Sequence, residues 1–322
     1  MKKVLICAVS MLACSLSMFS AAAQEFPSRP ITFLVGFAPG GAVDIVARTL
    51  GAQLQEQLRQ PVVIENRAGA NSNVAAVAAA RSKPDGYTLL VGANGMTTNM
   101  ALYASPGFDV EKDFSPVSLI GDAPPVIAAG PGFSGATLQA LVEQAKAKPG
   151  AMNYGSPGAG SSAHLMMELF QRVAGIRLQH IAYRGGQPAI TDALGGHIPL
   201  LAVNLPEVIG QAQSGALKIL GVPSTVRNPL LPEALTIAEQ GYPGFDASTW
   251  WALFAPVGTP SAIVDRLNAE VRMALANPGL REKFRLLGGV PKSSSPKELG
   301  DFIANERERW TKIILDGKIV AE

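Results

Sequence analysis

The stretch from Ile31 to Arg48, ITFLVGFAPGGAVDIVAR, constrains this chain more than any other. It reads as a buried strand over residues 31–35, a glycine-rich turn over 36–41, and then a helix. Pro39 has no N–H to give a ladder, so the strand must end before it. Gly40 and Gly41 let the backbone turn sharply and approach a neighbour closely. Asp44 falls in the first turn of an apolar helix, where a carboxylate suits the positive end of the dipole. A strand, a glycine turn and a helix start aim several N–H groups into one space, and such a space receives anions.

The rest of the chain repeats this unit, so an α/β fold with mainly parallel sheets is expected. Strands are expected near 61–65, 87–91, 152–154, 178–182, 198–203 and 217–222. Helices are expected between them, at 74–81, 138–148, 163–173, 188–194 and 206–213. Residues 114–121 and 123–130 are consecutive apolar stretches separated by little more than proline, and read as a crossing between lobes. Residues 248–254, STWWALF, read as the strand that crosses back, with one of Trp250 and Trp251 facing the core and the other the cleft or solvent. Helices follow at 260–276, with Thr259 as N-cap and Pro260 in the first position, at 284–287 and at 296–312. A chain of 322 residues is too long for one small core. The expected division is a first lobe over 24–122, a second lobe over 123–243 inserted into it, and a return to the first lobe over 244–322. Two crossings make a hinge, and hinged lobes close on a ligand between them.

The first 23 residues are set apart. Lys2 and Lys3 precede an apolar run from Val4 to Phe19, and Ala21-Ala22-Ala23 fits the small-residue rule for cleavage. A cleaved signal peptide with Gln24 as the new N-terminus is expected. The run is short for a spanning helix, and Leu12 spoils Met11-Leu12-Ala13-Cys14 as a lipid-attachment site. Cleavage removes both cysteines, Cys7 and Cys14, leaving no thiol or disulfide. The whole chain carries 27 basic and 25 acidic residues. Losing Lys2 and Lys3 brings the mature chain to neutrality, which supports neither a nucleic-acid role nor a polybasic membrane role.

Two further glycine turns precede helices, Ser156-Pro-Gly-Ala-Gly-Ser-Ser162 and Arg184-Gly-Gly-Gln-Pro188. Three such turns in two lobes favour an anion held by backbone N–H groups, with Ser161 and Ser162 able to cap the helix or donate to a carboxylate. Arg184 is the cation best placed to meet one. Gly158-x-Gly160-x-x-Ala163 matches a loose dinucleotide fingerprint, but no acid stands about 20 residues on to hold a ribose hydroxyl. The spacing of His164, His180 and His197 fits no metal motif. No Gly-x-Ser-x-Gly elbow is present, so hydrolase chemistry is not expected.

These residues match a known pattern. Phe37-Ala-Pro-Gly-Gly-Ala-Val-Asp44, Glu65-Asn-Arg67, Asp85-Gly-Tyr-Thr-Leu-Leu90, Lys112-Asp-Phe-Ser-Pro-Val117, Tyr183-Arg-Gly185 and Trp251-Ala-Leu-Phe-Ala-Pro256 stand in the order found in one family. Across nearly all the mature chain it resembles the periplasmic receptors of tripartite tricarboxylate transporters, the TctC or Bug family. The resemblance implies a type II periplasmic binding protein: two α/β lobes with a ligand cleft between them. It implies a periplasmic, cofactor-free, non-enzymatic monomer. Such a receptor captures a small di-, tri- or aromatic carboxylate and passes it to inner-membrane transporter subunits. Partnership with a membrane sensor, or an enzyme on the same scaffold, are the alternatives. Carried over by position, Phe37, Ala38, Gly40, Gly41, Ala42 and Asp44 form one wall of the site, with Asn94 on a neighbouring loop. Ser156, Gly160, Ser161, Ser162 and His164, with Tyr183, Arg184, Gly185 and Gly186, form the other. The sequence departs from the family after Arg67, where Ala68-Gly-Ala-Asn-Ser-Asn73 replaces a loop of the Pro-Gly-Ala-Gly-Gly type.

Overall fold

The computed structural model describes residues 26–320; the expected signal segment, 1–23, lies outside them. The chain builds two sheets. The first contains β1 (Ile31–Val35), β2 (Val62–Asn66), β3 (Thr88–Ala93), β4 (Phe114–Ala123), β10 (Thr249–Pro256) and β11 (Val290–Pro291), in the order β11-β4-β10-β3-β1-β2. The second contains β5 (Pro125–Ala129), β6 (Asn153–Ser156), β7 (Gln179–Ala182), β8 (Leu200–Asn204) and β9 (Lys218–Gly221), in the order β7-β6-β8-β5-β9.

Both sheets are mixed rather than mainly parallel. β1 runs parallel to β2 and β3, and β6 runs parallel to β7 and β8. β10 runs antiparallel to β3 and β4, and β5 antiparallel to β8 and β9. The cause is the crossing. β4 leaves the first sheet and, after Pro124 alone, the chain enters the second sheet as β5. Strands that connect lobes enter their sheets from the shared edge, against the direction set by the βα units.

Each sheet is covered on both faces. Along β1, Phe33 and Val35 join one core cluster and Leu34 another. The first cluster is completed by helix α1 (Ala42–Leu58), which buries Val43, Val46, Ala47, Leu50, Leu54 and Leu58 on one stripe. The opposite face is covered by α2 (Asn73–Ala80) and by the long C-terminal helix, numbered below. Trp250 and Trp251 therefore both lie in core, on opposite faces, and neither faces the cleft or solvent. Trp250 tolerates burial because its indole N–H donates to Glu306 Oε2 at 3.1 Å, an atom that also accepts from Trp310 at 3.0 Å.

Helix α3 (Gly95–Leu102), which the sequence does not announce, follows β3, and the short α4 (Val110–Asp113) precedes β4. In the second lobe, α5 (Leu138–Ala147), α6 (Ser162–Ala174), α7 (Gly186–Leu194) and α8 (Leu205–Gln213) connect β5 through β9. The return to the first sheet is followed by α9 (Ser261–Ala276), α10 (Pro278–Leu286) and α11 (Pro296–Gly317). Pro260, not Thr259, is the residue before α9. The Thr259 hydroxyl instead donates back to the Pro256 carbonyl at 2.7 Å, closing the turn rather than capping the helix. None of the helices described is long and apolar enough to cross a membrane.

Candidate functional site

In each sheet the connections leave one strand in opposite directions. From β1 the chain passes to β2 on one side, then over α2 to β3 on the other. From β6 it passes to β7, then over α7 to β8. The carboxyl ends of such strands form the crevice where open α/β sheets place ligands. Here the two crevices face one another. An inner cavity of about 20 Å³ lies between them, lined by Phe37, Ala42, Asn71 and Asn94 from one lobe and by Ser161, Ser162, Asn204 and Glu207 from the other. An outer cavity of about 170 Å³ shares Phe37, Asn71 and Pro157 with it and adds Tyr103, Gly158, Tyr183 and Arg184.

The lobes are closed on this space. Ala38 N–H donates to the Arg184 carbonyl at 3.3 Å, and the Thr98 hydroxyl to the Gly160 carbonyl at 3.2 Å. The hydroxyls of Ser162 and Thr249 lie 2.5 Å apart, and Thr249 donates to Asn204 Oδ1 at 2.5 Å. Gly185 allows the close approach: a Cβ there would press on Ala38, and its φ of +132° is one that L side chains rarely adopt.

The first glycine turn is satisfied from within. Gly40 N–H donates to Asp44 Oδ2 at 2.9 Å and Gly41 N–H to the Ala38 carbonyl at 3.2 Å. Ala42 N–H, the first of α1, donates to Glu207 Oε1 at 3.0 Å across the cleft. Asp44 lines neither cavity. Its other partners are Arg48 Nε and Asn66 Nδ2, both at 2.9 Å. Burial works to raise its pKa, but Arg48, Gly40 N–H and Asn66 together outweigh burial and lower it. Asp44 thus holds the turn in shape.

Glu207 is the residue that reading the sequence misses. It is fully buried on α8, and its carboxylate collects N–H groups from the starts of three helices. These are Ala42 of α1, Gly186 of α7 and Asn204, the cap of its own helix, at 2.8 Å to Oε2. Desolvation raises its pKa, opposed by those N–H donors. A Cβ on Gly186 would overlap the carboxylate. The only sequence signal is Asn204-x-x-Glu207, a capping box.

The other expected residues divide between cleft and frame. Phe37, Ala42, Asn94, Ser161, Ser162, Tyr183 and Arg184 line one of the two cavities. Ala38, Gly40, Gly41, Ser156, Gly160, Gly185 and Gly186 shape the loops behind it. Asn94 braces the return crossing: its Nδ2 donates to the Ser248 carbonyl at 3.2 Å and its Oδ1 accepts from Trp250 N–H at 3.1 Å. Ser161 is the cap of α6, accepting from His164 N–H. Tyr183 Oη donates to Asp192 at 2.6 Å; burial, then Asp192, pushes its pKa up to about 12. Arg184 is exposed and makes no ion pair among the described residues.

His164 lies outside the cleft. It lines a separate groove of about 620 Å³ between the edge of the second sheet and residues 317–320. Its ring stacks on His180 at 4.1 Å, and its Nδ1 accepts from Gly160 N–H at 3.0 Å. His180 Nε2 lies 2.6 Å from Ser156 Oγ. Burial, with the neighbouring His180, lowers the His164 pKa to about 3, and burial lowers that of His180 to about 4. Neutral His164 supports the second glycine turn through Gly160. Among the described residues no group of three His, Cys, Asp or Glu is placed to hold a metal ion.

Two α/β lobes closed over facing crevices agree with what known proteins show. The model of the tripartite tricarboxylate transporter family receptor matches residues 46–318. The chain belongs to that receptor family. BugT of Bordetella pertussis is 39% identical to it over 294 residues, covering 91% of this chain and 90% of BugT. The periplasmic binding protein BugD has the same fold, with a TM-score of 0.89 at 31% identity, over 92% of this receptor and 100% of BugD. The R. palustris protein Rpa4515, solved with adipate, gives a TM-score of 0.89 at 33% identity, over 92% of this receptor and 99% of that chain. The fold is that of a periplasmic binding protein with two lobes, and the family is one of solute-binding receptors.

Proposed function

We propose that this receptor captures a small carboxylate in the interlobe cleft and delivers it to the inner-membrane subunits of a tripartite tricarboxylate-type transporter. The observation that carries the reading is the pair of facing crevices at the carboxyl ends of β1 and β6, closed by hydrogen bonds from both lobes. The adipate in Rpa4515 supports a carboxylate as the ligand. Arg184, free of ion pairs at the outer cavity, is the cation that meets the ligand carboxylate, with the turn over 156–162 beside it. The hinge lies at the two crossings, at Pro124 between β4 and β5 and at the entry to β10 after Ala247. Secretion to the periplasm proceeds with removal of residues 1–23.

The test is a thermal-shift and calorimetric screen of mature protein, refolded to strip bound ligand, against aliphatic and aromatic carboxylates. A ligand at 100 times its dissociation constant raises stability by about 2.7 kcal/mol. Arg184→Ala should then weaken the hit without lowering the melting temperature of the free protein. Silence across the panel sinks the carboxylate reading. Ligand-dependent uptake into cells carrying the membrane subunits, lost when the receptor is deleted, tests delivery.

A further inference from the structure

We propose that Asn71 and Glu207 make the inner cleft select a ligand whose far end is an uncharged or cationic hydrogen-bond donor, a hydroxyl or an amino group, so that this receptor prefers hydroxy- or amino-monocarboxylates to dicarboxylates. The inference deepens the receptor reading and rests on it.

The first observation is charge. The inner cavity is lined by no basic side chain, and its one charged residue is Glu207. Every partner of that carboxylate is an N–H donor: Ala42, Asn204 and Gly186. Burial raises the Glu207 pKa, but its partners are all donors and a protonated oxygen would find no acceptor among them, so the geometry favours the ionised form. The helix starts that could neutralise a ligand anion here already neutralise Glu207. A second carboxylate brought beside it would meet a like charge in a desolvated space.

The second observation is an unanswered acceptor. Asn71 is 7% exposed and lines both cavities. Its amide orientation is fixed by Asn99. Asn99 Nδ2 donates to the Asn71 backbone carbonyl at 2.8 Å and to Asn73 Oδ1 at 2.6 Å, so Asn99 Oδ1 must accept from Asn71 Nδ2, at 2.8 Å. That leaves Asn71 Oδ1 buried with no partner among the described residues. A buried carbonyl without a donor is costly, and a ligand that supplies one is favoured by that cost.

The third observation is size. The inner cavity, about 20 Å³, is far smaller than the outer one of about 170 Å³. A terminal hydroxyl or ammonium suits the smaller space better than a planar carboxylate of three heavy atoms. The larger outer cavity, beside Arg184, takes the carboxylate end.

Asn71 also sits at φ +48°, between Ala70 at +46° and Ser72 at +77°. Glycine adopts this backbone more easily, which offsets part of the cost of losing the Asn71–Asn99 hydrogen bond in Asn71→Gly.

The experiment is calorimetry on the refolded mature protein with adipate, 6-hydroxyhexanoate and 6-aminohexanoate, and with the shorter homologues of each. At least one donor-ended monocarboxylate should bind roughly tenfold or more tighter than the dicarboxylate of equal length. Glu207→Gln should shrink that ratio by improving the dicarboxylate. Asn71→Gly should shrink it by weakening the donor-ended ligand roughly tenfold; because it also leaves Asn99 Oδ1 without its donor, a cooperative melting transition checks that the variant is folded. Tighter binding of the dicarboxylate to the unmodified protein overturns the inference and leaves the receptor reading standing. So does an unchanged ratio in a cooperatively melting Asn71→Gly or in Glu207→Gln. Absence of binding by every carboxylate overturns both.

Discussion

At the scale of single residues, polar side chains buried at the cleft divide into those that face it and those that hold its walls. Asn94 belongs to the second group, since both ends of its amide are spent on the backbone of the returning strand. Asn94→Ala leaves the Ser248 carbonyl and the Trp250 N–H unpaired in a buried place. The expected cost is about 2 kcal/mol, read as a lower urea midpoint at unchanged slope. Asp44 makes a pH-dependent contribution. Its folded pKa lies below the usual carboxylate value, so its stabilisation is fully present above about pH 4 and is lost as pH falls through the folded value. Asp44→Asn should therefore cost about 1–3 kcal/mol at pH 7 and progressively less in acid; equal losses at pH 7 and pH 3 would refute the role. Phe37, Ser161, Ser162 and Arg184 are legible in the sequence because glycine turns before helices announce themselves. Glu207 is not legible, because an acid in a first turn reads as a helix cap until a second lobe is seen to approach it. Asn71 is half legible: the unusual loop Ala68 to Asn73 stands out, but its left-handed backbone and the fixed direction of its amide need three dimensions.

At the scale of elements, burial on every side is what hides structure from the sequence. Helix α3 has Gly95, Met96, Thr97, Thr98, Asn99 and Leu102 all buried. It therefore shows no apolar stripe to read and is not announced by the sequence. Helix α1 shows its stripe clearly, and α11 shows its start in Ser295, Pro296 and Glu298, a capping box with proline inside it. Helix α6 supports the second glycine turn through His164 and Gly160, and that support is tied to proton uptake. Both histidine pKa values are depressed, so the unfolded chain binds protons first. Stability is complete above about pH 6.5 and falls as pH drops toward about 4 and about 3. Each histidine contributes a slope of about 1.4 kcal/mol per pH unit in that window. His164→Asn keeps an acceptor beside Gly160 N–H while removing one titrating group. The variant should lose roughly that much slope between pH 6 and pH 4.5, measured by urea unfolding at several pH values. An unchanged slope would show that His164 is not protonated on unfolding.

At the scale of the whole molecule, two crossings alone would leave a loose hinge, and the C-terminal helix adds a third tie. Helix α11 packs on the first sheet through Leu299 and Ile303, yet further along it reaches the second lobe. There Trp310 and Ile314, with Leu102 of α3, enclose Leu165 of α6. Leu165 is fully buried and lines neither cleft cavity. Leu165→Ala removes packing between lobes, whereas Ile303→Ala removes packing inside one. Each should cost about 2–5 kcal/mol through the cavity left behind. They should differ in binding. If the closed form is held partly by Leu165, its truncation makes the binding-competent state rarer and weakens affinity by that fraction, for whichever carboxylate stabilises the unmodified protein. Ile303→Ala should lose comparable stability with affinity intact. Denaturant midpoints and calorimetry on both variants decide the matter: equal affinities would confine α11 to the first lobe's core, and a loss in Leu165→Ala alone would make it the strut against which the lobes close.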